Sequence, residues 1–364
     1  MSVWKYADWW GAPPPSFKVS LGEGGTPLIP STRLGREMGL NQLWFKYEGA
    51  NPTGSYKDRF ATAAISHLRR DGKKLCLGTS SGNTGAAVAA YCGRAGISCL
   101  FAIVEGAPEG KLRQMLAYGA RLFRIKGFGL SSPVNTAVIK GLRALADELD
   151  AGFEISAFCY SPRGMLGVQT ISFEIAETLK TGKIQVFSPA AAGGFTWAVA
   201  RGFESLAARS AWAGRASVHC VQPVGNDTIA TPLREGALRA RAVESTTAIS
   251  GLQAGAVFDG DGVIEACRRS GGQGHVVTDE QAWEWQARLA RDEGIFAEPA
   301  GAIALAGVAG AVARGELSPD DPVVCLVTGS GFKDERSVAR MTSGSSTAVL
   351  EDFSAFAAEA RQGL

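Results

Sequence analysis

The chain has 364 residues, enough for two α/β domains or one large unit with a sizeable buried core. With 37 basic against 35 acidic side chains and no basic stripe, it offers little to nucleic acid or to a charged membrane surface. Seven scattered cysteines without a C-x-x-C, and three histidines, argue against a disulfide framework or a metal site; most of the cysteines read as core filler.

Taken in chain order, "MSVWKYADWW" lacks the apolar run and cleavage site of a signal peptide. No stretch of about 18 uninterrupted apolar residues follows, so a cytoplasmic protein is expected. The N-terminal aromatics suit either a core strand or part of a subunit interface. The stretch "NPTGSYKDRF" sets Lys57 between an aromatic and an aspartate. A lysine is ordinarily a solvated surface charge. In a desolvated pocket, however, its amine can form a Schiff base with a carbonyl cofactor.

From residue 73 the pattern alternates between strand and helix. "KKLCLGTS" reads as a strand and "GNTGAAVAAYCGRAG" as a helix closed by Gly96. "ISCLFAIV" (strand), "EGKLRQMLAYGA" (helix), "RLFRI" (strand) and "NTAVIKGLRALADELD" (helix) complete a βαβαβα block over 73–149. A second block begins near Phe153 with one helix over "GMLGVQTISFEIAETLKTG". The strand "IQVFSPA", the helix "GGFTWAVARGFESLAARS" and the strand "ASVHCVQPV" come next. Residues 225–274 are Gly-rich and less regular, which suits a mobile or substrate-facing region. "DEQAWEWQARLARDEGI" and "AGAIALAGVAGAVARG" read as helices, and "PVVCLVTGSG" as a strand ending in a polar loop. A linker and an amphipathic helix are expected after residue 340. The alternation predicts an α/β fold with a largely parallel sheet and no internal repeat.

Ligands of such folds bind at the carboxyl ends of strands, and three loops there could carry chemistry. "GTSSGNTG" opens a helix and suits a carboxylate or phosphate, or is a plain N-cap turn. "SPAAAGGFT" has small residues and Gly193-Gly194 before a helix, which lets the backbone wrap an anion or simply turn tightly. "LVTGSGFKD" places Thr328 at the end of a buried strand, where it could donate to a ring nitrogen or cap the strand.

Six stretches bring these pieces together: "SLGEGGTPLI", "NPTGSYKDR", "SSGNTGAAVAAYCGRAG", "GKLRQMLAYGARL", "EPAGAIALAG" and "VTGSGFKD". In the same order they resemble motifs of the pyridoxal-phosphate enzymes with the tryptophan synthase β-like fold, and the threonine synthase family most closely. The resemblance runs over 20–334. It implies a two-domain, fold type II α/β enzyme with mostly parallel sheets wrapped by helices. The large cofactor-binding domain would take in 1–60 and 151–340, with a small domain of 61–150 inserted in it and a linker and helix over 341–364. Lys57 would hold pyridoxal 5'-phosphate as a Schiff base and, once freed, act as the general base at Cα. Asn83 would bond the cofactor's phenolic oxygen, and Thr328 would face the ring nitrogen. Ala191, Ala192, Gly193, Gly194, Phe195 and Thr196 would wrap the cofactor phosphate. Ser80, Ser81, Asn83 and Thr84 would bind the substrate carboxylate, and Lys111 and Arg163 would contact its leaving group. A homodimer that acts on an amino acid, with no nucleic acid, membrane or metal, is the expected assembly.

The chain departs from that family at the second phosphate site. Where threonine synthases resemble "NSVNPxRIEGQKT", it reads "FCYSPRGMLGVQT". The Asn and Ser become Phe158 and Cys159, and the arginine falls on Gly164 with Arg163 displaced by one. The cofactor loop, similar to "PVGNAGN" in the family, reads "PAAAGGF", and "SSGNTG" is similar to the sulfhydrylase branch. The expected activity is a lyase acting by β/γ-elimination or replacement on a phosphorylated or acylated amino acid, possessing or having lost a taste for O-phosphohomoserine. The rival is β-replacement, as in cysteate synthase or O-acetylserine sulfhydrylase. A non-catalytic amino-acid-binding relative is disfavoured by Lys57, Asn83 and Thr328. A nicotinamide oxidoreductase is disfavoured by the lack of G-x-G-x-x-G after a strand.

Overall fold

The computed structural model describes residues 2–80, 82–107, 109–180 and 182–362. Ten strands occur among them: β1 (Leu28–Pro30), β2 (Leu43–Tyr47), β3 (Leu75–Gly78), β4 (Ser98–Val104), β5 (Arg121–Ile125), β6 (Gly152–Phe153), β7 (Lys183–Pro189), β8 (Arg215–Pro223), β9 (Gly274–Val277) and β10 (Val323–Val327). They form a six-stranded sheet in the order β1-β2-β10-β7-β8-β9 and a four-stranded sheet in the order β5-β4-β3-β6. Every pairing is parallel except β1 with β2.

Parallel strands covered on both faces read as continuous apolar runs, and β10, "VVCLV", is buried at every position. The helix Pro299–Ala313, apolar on nearly all sides, is buried beside the large sheet. Six of the seven cysteines are buried and Cys159 is exposed. Among the described residues no helix is long and apolar enough to cross a membrane, and no cluster of ligating side chains could hold a metal ion.

The structure corrects several sequence expectations. The single helix over 164–182 is two helices, Pro162–Val168 and Thr170–Thr178. Thr170 Oγ1 donates to the Gly167 carbonyl at 2.7 Å, a local bond that competes with the helical ladder. The N-terminal segment is no strand: Val3–Tyr6 is a 3-10 turn and Ala7–Trp10 a helical turn, stopped by Gly11 at φ 68. Val3, Tyr6 and Trp10 are buried in this chain's own core, with Tyr6 against Phe173. The Gly-rich region also yields a helix, Gly260–Ser270, and runs into β9. The four-stranded sheet takes in β6, Gly152–Phe153, beside β3.

Candidate active site

The carboxyl ends of β3, β6, β7 and β10 open on one cavity of about 430 Å³. Lys57 enters it from the first position of the helix Lys57–Arg70. Its Nζ lies 2.5 Å from Ser156 Oγ and over the Tyr56 ring, 4.5 Å from the centroid. Burial pushes its pKa down to about 7, against the pull of Glu298. The amine is therefore available uncharged near neutrality, as a nucleophile or base must be.

Asn83 opens the helix Asn83–Ala95, and its Nδ2 donates to Glu298 Oε1 at 2.7 Å. Ser80 and Thr84 line the same wall. Ser80 Oγ accepts from Gly82 and Gly85 N–H and so shapes the turn into the helix. Thr84 Oγ1 lies 3.0 Å from Ser156 Oγ, which links it through Ser156 to Lys57. Ser81 lies outside the described residues.

Ala191, Ala192, Gly193, Gly194 and Phe195 also line the cavity, ahead of and into the helix Gly194–Ala208. Gly193 has φ +99, and a Cβ there would come within 2.9 Å of Val263. A Cβ on Gly194 would lie 2.8 Å from an Asp259 carboxylate oxygen. Asp259 in turn accepts from the N–H groups of Phe158 and Cys159 and donates its own N–H to the Ala192 carbonyl. The loop is thus pressed flat by its neighbours, which only glycine allows. The first intrahelical bond runs from Trp197 N–H to Gly193 O, so the preceding N–H groups have no intrahelical partner. Thr196 does not line the cavity; its hydroxyl is tied to Ser188 Oγ at 2.8 Å and to the Pro189 carbonyl.

Thr328, at the end of β10, lines the cavity, with its hydroxyl 3.4 Å from the Ala300 carbonyl. Lys111 also lines the cavity, bonded to Ser250 Oγ and 4.0 Å from the Asp334 carboxylate. Arg163 is a different matter: it sits on the surface, paired with Asp71 at 2.9 Å, away from the cavity. Nor does the neighbouring Gly164 face the site. A Cβ there would lie 2.5 Å from the Phe60 ring, because the helices Pro162–Val168 and Lys57–Arg70 pack closely at this point. An arginine at 164 therefore cannot supply the missing phosphate contact.

Six further polar residues line the cavity that the sequence reading does not single out: Ser156, Glu298, Gln114, Lys333, Ser250 and Gln253. Glu298, Lys333 and Gln114 stand inside the motifs "EPAGAIALAG", "VTGSGFKD" and "GKLRQMLAYGARL", so a signal existed. Ser156 had none. Lys333 Nζ donates to the Thr53 carbonyl at 2.8 Å and to Gln114 Oε1 at 2.5 Å. The donor set fits a phosphorylated aldehyde: a buried amine with its pKa pushed down to about 7, a glycine loop with free N–H groups at a 15-residue helix, and the neutral Thr328 hydroxyl.

Known proteins agree with this fit. The family described as "Pyridoxal-phosphate dependent enzyme" matches residues 19–329. The threonine synthase of Methanocaldococcus jannaschii is 32% identical over 346 residues, covering 93% of this chain and 82% of that protein. That of Halalkalibacterium halodurans is 33% identical over 319 residues, 87% of this chain and 84% of that protein. In fold the chain is similar to threonine deaminase isoform 2 from Solanum lycopersicum, with TM-score 0.73 and 20% identity over 95% of this chain and 94% of that one.

Proposed function

The chain belongs to the family of pyridoxal-phosphate-dependent enzymes and is threonine synthase-like within it, and from that premise we propose a carbon–oxygen lyase. It performs β/γ-elimination or replacement on an activated, phosphorylated or acylated amino acid. Its cofactor is pyridoxal 5'-phosphate, which when bound draws electrons from the substrate and makes its Cα–H acidic. The observation that carries this reading is the buried Lys57 amine, its pKa pushed down to about 7, in a cavity also lined by the glycine loop 191–195 and by Lys111 and Lys333.

Each residue has a role in it. Lys57 is the attachment point and, when free, takes the proton from Cα; Ser156, braced by Thr84, aims its Nζ. The loop 191–195 holds the cofactor phosphate by backbone N–H groups and the helix dipole. Asn83 meets the phenolic oxygen. Thr328 offers the ring nitrogen a neutral hydroxyl, which favours the protonated ring less than a carboxylate would and suits chemistry in which a leaving group departs promptly. Ser80, Thr84 and the N-terminus of Asn83–Ala95 receive the substrate carboxylate. Lys111 and Lys333 place two cations where a departing phosphate gathers charge.

A second reading, β-replacement as in cysteate synthase or O-acetylserine sulfhydrylase, rests on the cavity wall itself. No arginine lines it among the described residues, so a substrate smaller or less charged than O-phosphohomoserine also suits it. The test is phosphate release from O-phosphohomoserine and O-phosphoserine by the loaded enzyme, with acetate release from O-acetylserine in parallel. Release of phosphate is expected, with Lys111→Ala raising KM about tenfold or more for the phosphorylated substrate. Acetate release alone would move the assignment to the second reading. No turnover of any of the three would remove the lyase.

A further inference from the structure

Glu298 is 7% exposed and lies in the cavity wall, yet the roles above give its carboxylate nothing to do. Its backbone is fixed at both ends. The Glu298 N–H donates to the Gly329 carbonyl, and its own carbonyl accepts from Gly301 and Ala302 at the start of the helix Pro299–Ala313. Space for the side chain depends on Gly329, where a Cβ would lie 2.2 Å from Glu298 Oε1 and 3.4 Å from Asn83 Nδ2. Its side-chain partner is the Asn83 amide, whose Nδ2 donates to Oε1 at 2.7 Å.

An asparagine amide is nearly symmetric in shape, so only its hydrogen-bond partners decide which end points where. An ionised carboxylate can only accept, and it therefore holds the NH₂ end and rejects the carbonyl end. The NH₂ group has two hydrogens. One goes to Glu298, and the other is left to donate into the cavity. We propose that Glu298 is a positioning residue that sets the Asn83 amide so that an N–H, and not the carbonyl oxygen, meets the phenolic oxygen of the cofactor. This inference rests on the reading that Asn83 contacts that oxygen.

The charges facing Glu298 come from every neighbouring element: Lys57 beside Tyr56, Lys111, and Lys333 beside Asp334. Burial raises the Glu298 carboxyl to about 7, opposed by Lys333, Asn83 and Lys111. Protonated, Glu298 could itself donate to the amide oxygen, and its selection of one orientation would end. The control over Asn83 is thus present above that pH and lost below it.

The experiment is a double-mutant cycle on the holoenzyme, with Glu298→Gln, Asn83→Ala and the pair. It reads the visible absorption band of bound pyridoxal phosphate across pH and the dissociation constant for pyridoxal phosphate. Each single variant should shift the band and weaken binding about tenfold. The pair should be no worse than the worse single variant, and the pH-dependent movement of the wild-type band should vanish in Glu298→Gln. Glu298→Asp, which keeps the charge, should recover part of the pH-dependent movement, and it stands in should Glu298→Gln fold poorly. Additive effects of the two substitutions would overturn the inference while leaving Asn83's contact in place. An unshifted band in Asn83→Ala would remove that contact and the inference together.

Discussion

At the scale of single residues, the cavity turns a common side chain into a reactive one. Lys57 has a pKa near 7 because burial outweighs the attraction of Glu298. Only the uncharged amine can attack the cofactor's aldehyde. A lowered pKa places the rise in the uncharged fraction near neutrality instead of near the ordinary lysine value of 10.5. The rate at which pyridoxal phosphate attaches to the cofactor-free protein should therefore climb with pH through about 7 and level off above. Following the visible band after rapid mixing from about pH 5 to about pH 9 measures it. A rate still rising tenfold per pH unit at the alkaline end would mean that Lys57 is not desolvated. Lys57, Asn83 and Thr328 could be picked out of the sequence because each stands in a short motif at the end of a strand or start of a helix. Ser156 could not: it lies in the loop after β6, and only the folding of that loop over the helix Lys57–Arg70 brings its hydroxyl to Nζ. Arg163 shows the converse. A plausible residue type, one position from the family's arginine, points to Asp71 on the surface because Gly164 must face Phe60.

At the scale of elements, the question is what keeps the start of the helix Lys57–Arg70 in place, since Lys57 stands at its first position. Two residues on, the fully buried Arg59 spans two carboxylates. Its Nε meets Glu48 Oε2 at 2.7 Å, and its Nη1 meets Glu174 Oε1 at 2.6 Å. Lys46 Nζ, on β2, joins Glu174 Oε2 at 2.6 Å. Two cations and two anions thus balance in a dry junction between β2, the helix Lys57–Arg70 and the helix Thr170–Thr178. Removing one member leaves a buried charge unmatched, which costs about 3–5 kcal/mol. Glu174→Ala should lower the thermal midpoint by about 5 °C. Burial alone would raise the Glu174 carboxyl, but Arg59 and Lys46 overcome it and hold it down at about 2. A depressed carboxylate stabilises fully above its ordinary value of 4.5, and that stability is lost as pH falls toward about 2. Urea midpoints of the wild type should fall across that acid window, and those of Glu174→Ala should fall less. Equal midpoints for the two proteins at neutral pH would show the junction to be idle. None of this network is legible in the sequence, because its members are separated by up to 128 positions. The regular elements were legible where periodicity is strong, as in "ISCLFAIV" and β4. They were not legible where a local bond overrides it, as at Thr170.

At the scale of the whole molecule, the two sheets matter more than any one strand. β10 returns more than two hundred residues after β2 to lie between β2 and β7, and this places Thr328 at the strand end beside the loop that follows β7. The order of the motifs along the chain contains no trace of that closure; it depends on which strands pair. The loop 191–195 follows β7 of the six-stranded sheet, and Tyr56, next to Lys57, donates its N–H to the Thr328 carbonyl after β10, whereas Ser80 and Asn83 follow β3 of the four-stranded sheet. A ligand held by both sets of residues joins the two halves, and unfolding either half must release it. Binding to the native state alone adds RT ln(1 + [L]/Kd), about 2.7 kcal/mol at a hundredfold excess over Kd. The loaded protein should therefore unfold in a single transition at a higher temperature than the cofactor-free protein. If Lys57 is the attachment point proposed above, Lys57→Ala, which leaves the loop 191–195 untouched, should show less of that gain at the same cofactor concentration. Differential scanning calorimetry of the two proteins, with and without pyridoxal phosphate, measures it. A midpoint unmoved by saturating cofactor would mean that the ligand touches only one half. The cavity between the sheets would then not be where the cofactor sits.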